Sequence, residues 1–151
     1  MTKTFKGRPV VGGNVSAPAL VSHGGFNTLA SLKTVGSFLN PKGIIEDQNN
    51  KDLYGKMIPG TALCLPETIG STTGGMVLYC VAENDAAPAC MLFSKPADSL
   101  AVAGACLIAN WSEKPMVLID GLGDEFLDYV KEGMMITTYE DGTVEVEDER
   151  E

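Results

Sequence analysis

The stretch TALCLPETIGSTTGGMVLYCVA, residues 61–82, decides the fold. It opens on Thr61-Ala62-Leu63-Cys64-Leu65, a short apolar run closed by Pro66, which fits a buried strand. It ends on seven consecutive apolar residues, 76–82, with Gly70-Ser71-Thr72-Thr73-Gly74-Gly75 in between. A small-residue loop leading into a hydrophobic helix aims several backbone N–H groups and hydroxyls at one point. Working outward, residues 88–93 (PACMLF) form a second buried strand. Residues 98–111 (DSLAVAGACLIANW) form a buried helix capped by Asp98 or Ser99, and residues 115–120 (PMVLID) a third strand. Two intervals in which a strand is followed by a helix and another strand imply parallel neighbours with right-handed crossovers.

The flanks add β structure to this α/β centre. Residues 5–22 mix glycines and prolines with short apolar pairs, which reads as irregular strands with a bend at Gly12-Gly13 and a firmer strand over residues 19–22. On the other side, Leu122, Phe126, Leu127 and Val130 recur at helical spacing, predicting a helix over residues 122–132 that ends at Gly133. Residues 134–139 and 144–146 then form a hairpin whose turn is supplied by Asp141-Gly142. No internal repeat or interdomain linker interrupts the chain.

The length of 151 residues suits one domain, over residues 1–146, followed by an acidic tail at 147–151. With 11 Lys plus Arg against 20 Asp plus Glu, there is no basic stripe for nucleic acid or an anionic membrane. Two thirds of the net charge of −9 falls in residues 140–151, where seven carboxylates face one arginine, so the acid is read as a tail and not as an acidic surface. No secretory signal and no long apolar span are present, which predicts a cytoplasmic protein. Cys64, Cys80, Cys90 and Cys106, spaced 16, 10 and 16 apart among apolar neighbours, read as buried thiols, and His23 is the single histidine. That is poor material for a metal site or a His-based triad, so no metal or cofactor is expected on this chain alone.

Chemistry concentrates in residues 70–75. Three hydroxyls between glycines at a strand-to-helix junction can bind a carboxylate or phosphate through backbone amides, and one can move a proton, although a structural turn and N-cap would look the same. The segment lacks the lysine of a Walker loop and the G-x-S-x-G of a nucleophile elbow. A second candidate, Gly24-Gly25-Phe26-Asn27, offers either an aromatic wall and an amide to a ligand or an ordinary glycine turn anchored by Phe26. The loop Asp47-Gln48-Asn49-Asn50 reads as solvated, and Asp120-Gly121-Leu122-Gly123-Asp124-Glu125 as a cap for the helix that follows.

Taken together, GRPVVGG, ALVSHGGFNTLASL, GIIEDQNNKDLYGKMIPGTALCLPETIGSTTGG, APACMLFSKPADSLAVAGACLIANW and KPMVLID resemble the small subunit of aconitase X over roughly residues 6–146. The resemblance implies a swivelling β/β/α domain, a short parallel core with additional strands, in a cytoplasmic two-chain hydro-lyase. The partner is a large catalytic subunit carrying an iron or iron–sulfur centre, and this chain is inactive alone. It makes Ser71 the base that takes a proton from carbon, with Gly70, Thr72, Thr73, Phe26 and Asn27 around a small hydroxy-acid substrate. The aconitase loop continues with a carboxylate-binding arginine where this chain has Thr73, which disfavours a tricarboxylate. The wording of residues 25–30 (GFNTLA) and 69–75 (IGSTTGG) is closer to bacterial cis-3-hydroxy-L-proline dehydratase than to archaeal mevalonate 5-phosphate dehydratase. No Lys or Arg between Lys56 and Lys95 waits for a phosphate. The mevalonate 5-phosphate enzyme and a non-catalytic swivel module that binds a ligand or partner are the alternatives.

Overall fold

The computed structural model describes residues 2–32, 34, 40–69, 74–111 and 116–147. The strands are β1 (Thr2–Lys6), β2 (Arg8–Val11), β3 (Val15–Val21), β4 (Phe26–Asn27), β5 (Ala62–Leu65), β6 (Thr68–Ile69), β7 (Cys90–Phe93), β8 (Val117–Asp120), β9 (Met135–Thr138) and β10 (Thr143–Glu147). The helices are α1 (Thr28–Leu32), α2 (Gly74–Glu83), α3 (Ser99–Trp111) and α4 (Asp124–Tyr129).

Eight strands form one sheet in the order β1-β10-β9-β3-β5-β7-β8-β2. Its centre, β3-β5-β7-β8, is parallel, and the outer pairings are antiparallel. Every residue of β5, β7 and β8 is buried, as expected where helices or strands cover both faces of a parallel sheet. Alternation divides these strands between two cores. Leu20, Leu63, Leu65, Met91, Phe93 and Leu118 pack with Leu32 of α1, Leu78 and Val81 of α2, and Ile108 of α3. Their neighbours Ala19, Val21, Cys64, Leu92 and Ile119 pack with Phe126 and Leu127 of α4 and with Ile136, Val144 and Val146. Each fully enclosed Leu, Met or Phe contributes about 1.5–3 kcal/mol.

The two edge strands, β1 and β2, are separated only by Gly7, so the sheet curls until its edges meet. The Gly7 N–H donates to the Gly142 carbonyl at 2.9 Å, and a Cβ at Gly7 would stand 2.6 Å from the Asp120 carbonyl oxygen. Only glycine allows the closing corner to touch both flanks.

Several expectations change. The strand expected over residues 19–22 begins at Val15: residues 15–18 pair with β9 and residues 19–21 with β5, and Pro18, which has no N–H to donate, falls where the partner changes. The last helix spans only Asp124–Tyr129, because Gly121 and Gly123 hold positive φ (67° and 95°) and Val130 is already extended. Asp120 does not cap it, and the Gly123 cap position makes no side-chain bond. Of the thiols, Cys64 and Cys90 are buried but Cys80 and Cys106 lie on the outer faces of α2 and α3. Trp111 at the end of α3 is 72% exposed. The acid of residues 140–147 belongs to the β9–β10 hairpin, whose second strand reaches Glu147 opposite Thr2. Among the described residues no helix is long and apolar enough to cross a membrane.

Candidate functional site

In open parallel sheets, ligands gather beyond the carboxyl ends of the strands. Here that edge carries Ser22-His23-Gly24-Gly25 after β3, Pro66-Glu67 after β5, Ser94-Lys95 after β7 and Asp120 at the end of β8. Backbone bonds stitch the turns together: Ser22 N–H to the Cys64 carbonyl (2.8 Å), Ser94 N–H to that of Leu65 (3.0 Å) and Leu122 N–H to that of Phe93 (3.0 Å).

Two segments singled out separately in the sequence meet above this edge. β4 and β6 form a two-stranded parallel sheet pairing Phe26 with Thr68 and Asn27 with Ile69, and the Phe26 N–H donates to the Glu67 carbonyl at 2.9 Å. Gly25 allows the approach, since a Cβ there would lie 2.7 Å from Ile69 Cγ2. The predicted site residues Gly70, Ser71, Thr72 and Thr73 lie outside the described residues. The strand leading into them ends at Ile69 and the helix after them starts at Gly74. Ile69 and Met76, on either side of that stretch, are 50% and 56% exposed, so apolar surface borders it. Phe26 is fully buried in the core and acts as the anchor of its turn, presenting no wall to a ligand. Asn27 is half-buried, and its Oδ1 accepts the Ala30 N–H at 3.0 Å, capping α1.

The loop expected to be solvated is turned inward. Asn50 is buried, its Nδ2 donates to Ser22 Oγ at 3.0 Å and its Oδ1 accepts the Leu53 N–H at 3.2 Å. Ser22 Oγ in turn donates to the Gly24 carbonyl at 2.8 Å. Asp47 accepts the Asn49 N–H at 2.9 Å, and Asp52 accepts the His23 N–H at 2.8 Å. This polar web holds a cavity of about 290 Å³, lined by Gly24, Gly25, Asp47, Asn49, Asn50, Lys51, Asp52 and Ile69. The sequence held no sign that Lys51 belongs beside the glycine turn, 26 residues earlier in the chain.

Two further contacts brace the same edge. Asp120, fully buried and read from sequence as a helix cap, instead accepts Arg8 Nε at 3.0 Å and Nη2 at 2.6 Å together with the Ala97 N–H at 2.6 Å. That carboxylate raises the Arg8 pKa through its hydrogen bond and its charge. Thr68 Oγ1 donates to Asp98, which also accepts the Ala101 N–H at 3.2 Å, so the cap of α3 is tied to β6.

The described residues do not fit an iron centre. Among the described residues no three His, Cys, Asp or Glu side chains converge to hold a metal ion. Burial pushes the Cys90 thiol up to about 12 and Cys64 well above its usual value.

The Aconitase X swivel domain family matches residues 4–146. The chain belongs to that family. It is 31% identical over 142 residues to the phosphomevalonate dehydratase small subunit of Aeropyrum pernix, covering 94% of this chain and 92% of that one. To the phosphomevalonate dehydratase small subunit of Methanocella arvoryzae it is 34% identical over 139 residues, covering 92% and 93%. The crystal structure of Thermococcus kodakaraensis aconitase X in its holo form superposes with a TM-score of 0.80 at 27% identity, over 97% of this chain and 99% of that one. The mixed α/β fold of the aconitase X swivel domain is therefore the fold of this chain. These relatives are small subunits of a hydro-lyase, named for phosphomevalonate and not for cis-3-hydroxy-L-proline, and the bacterial assignment made from the wording of residues 25–30 and 69–75 finds no support in them.

Proposed function

We propose that this chain is the small subunit of a two-chain aconitase X dehydratase acting on mevalonate 5-phosphate, with Ser71 as the group that removes a proton from carbon. The observation that carries this reading is end-to-end similarity, above 90% coverage in both directions, to the two phosphomevalonate dehydratase small subunits. Dehydration of a hydroxy acid breaks a C–H bond beside the carboxylate and a C–O bond on the next carbon, forms a C=C bond and releases water. Ser71 Oγ takes the proton, and Gly70, Thr72 and Thr73 supply amides and hydroxyls around the reacting carbon. A serine hydroxyl is a weak base near neutral pH, so aligned N–H donors and a water-poor interface with the large subunit must stabilise its deprotonated form. The iron chemistry of the family is assigned to the large subunit in this reading, and no step on this chain runs through it.

A second reading, cis-3-hydroxy-L-proline as substrate, rests on the cavity lining. Asp47 and Asp52 stand beside Lys51, a mixed-charge wall that suits a zwitterion. Turnover of both acids by the complex of this chain with its large subunit separates the readings. Faster dehydration of mevalonate 5-phosphate is the expected result, and activity confined to the hydroxyproline would overturn it.

A further inference from the structure

We infer that Lys51 binds the carboxylate of the hydroxy-acid substrate, together with the backbone N–H groups of Gly24 and Gly25. The inference rests on the reading of this edge as a dehydratase site and assigns a specificity-determining residue within it. Lys3, Lys6, Lys56 and Lys95 each lie within 4 Å of a carboxylate, and Lys131 Nζ donates to the Asp128 carbonyl. Lys42 and Lys51, both exposed, have no such partner among the described residues, and of the two only Lys51 lines this cavity, with two aspartates. Those aspartates are occupied: Asp47 with the Asn49 N–H, Asp52 with the His23 N–H and, at 3.4 Å, with His23 Nδ1. The N–H groups of Gly24 and Gly25, in the same wall, likewise donate to no protein oxygen among the described residues.

An exposed lysine and two amides without protein partners that line one cavity, at the carboxyl end of a parallel strand, have the chemistry of an oxyanion site. A carboxylate suits it better than a phosphate. The formal charge of the lining is −1 (Lys51 against Asp47 and Asp52), so a dianion meets about twice the repulsion of a monoanion. Lys51 supplies a cation to the cavity wall that Ile69 shares.

Lys51→Met in the two-chain complex is expected to raise KM for the hydroxy acid about tenfold or more while kcat changes less, the signature of lost binding common to ground and transition states. Lys51→Arg recovers most of the loss, and Lys42→Met, an exposed lysine outside the cavity, leaves KM unchanged. A KM within twofold of wild type in an active Lys51→Met complex overturns the inference. If the wild-type complex turns over neither mevalonate 5-phosphate nor cis-3-hydroxy-L-proline, the proposed function has failed, and acetate titrated into the full chain decides the matter by NMR. Saturable shifts of the Gly24 and Gly25 amides, lost in Lys51→Met, support Lys51 as a carboxylate site. No saturable shift, or tighter binding of inorganic phosphate than of acetate, overturns it.

Discussion

The carboxyl-terminal edge of the parallel strands and the β1–β10–β9 flank are both rich in polar and charged residues, yet they use them in opposite ways. At the strand edge the groups point inward: Asp120 and Asn50 are buried, and each satisfies a backbone amide as well as a side chain from another segment. On the flank they point outward: Lys3 with Glu125, Lys6 with Asp141 and Tyr139 with Glu145 are exposed pairs. Burying a polar group costs free energy unless its bonds are made, whereas an exposed ion pair contributes little. Inward polarity thus marks the edge where the protein holds a shape for something else, and outward polarity marks a surface that only has to meet water.

Substitutions should separate the two regions. The largest effect is expected from Asp120→Ala, which orphans the Ala97 N–H and should cost about 2–3 kcal/mol in urea unfolding. A loss below about 0.5 kcal/mol would place that carboxylate with the surface pairs. Asn50→Leu should follow at about 2 kcal/mol, because it removes the bond to Ser22 Oγ and the acceptor for Leu53. Gly25→Ala forces its new Cβ onto Ile69, and should cost about 1–2 kcal/mol and lower the activity of the complex more than its stability. Wild-type activity in that variant would show that the spacing between β4 and β6 does not matter to the site.

The smallest effect belongs to the flank. Hydrogen bonds from the Thr143 side chain and backbone, with help from Lys6, lower the Asp141 pKa from 3.8 to about 2. A depressed carboxylate contributes stability above its unfolded pKa and loses it as pH falls through the folded value. Asp141→Asn should therefore flatten the acid limb of the stability curve between about pH 4 and pH 2, match wild type below about pH 2, and lose above about pH 4 only the small contribution that solvent screening leaves to an exposed carboxylate. A marked loss at pH 7 would show that the hairpin is more than a surface.

The sequence was most legible where the chemistry of burial is least ambiguous. β5, β7 and β8 are covered on both faces, so their apolar runs are continuous and stand out, and the small-residue segment between β5 and α2 stands out with them. β1 was not legible, because none of TKTFK is fully buried and its inward positions are Lys3 and Phe5, so Phe5 is the one apolar residue to show the alternation. The last helix looked longer than it is because Leu122 and Val130 keep helical spacing while lying outside it, both packed in the core. Composition likewise cannot tell a solvated Asp-Asn loop from one folded inward. Asn50 and Ser22 are 28 residues apart, and Arg8 and Asp120 are 112 apart, so both contacts exist only once the sheet has closed. The outward turn of Cys80 and Cys106 was hidden for a similar reason, since their sequence neighbours are apolar on every side of the helix.

The account turns on one hydroxyl. With the chain coexpressed with its large subunit and mevalonate 5-phosphate as substrate, Ser71→Ala should lower kcat by about 10²–10⁴-fold while the complex still assembles. Near wild-type turnover by the assembled Ser71→Ala complex would contradict it.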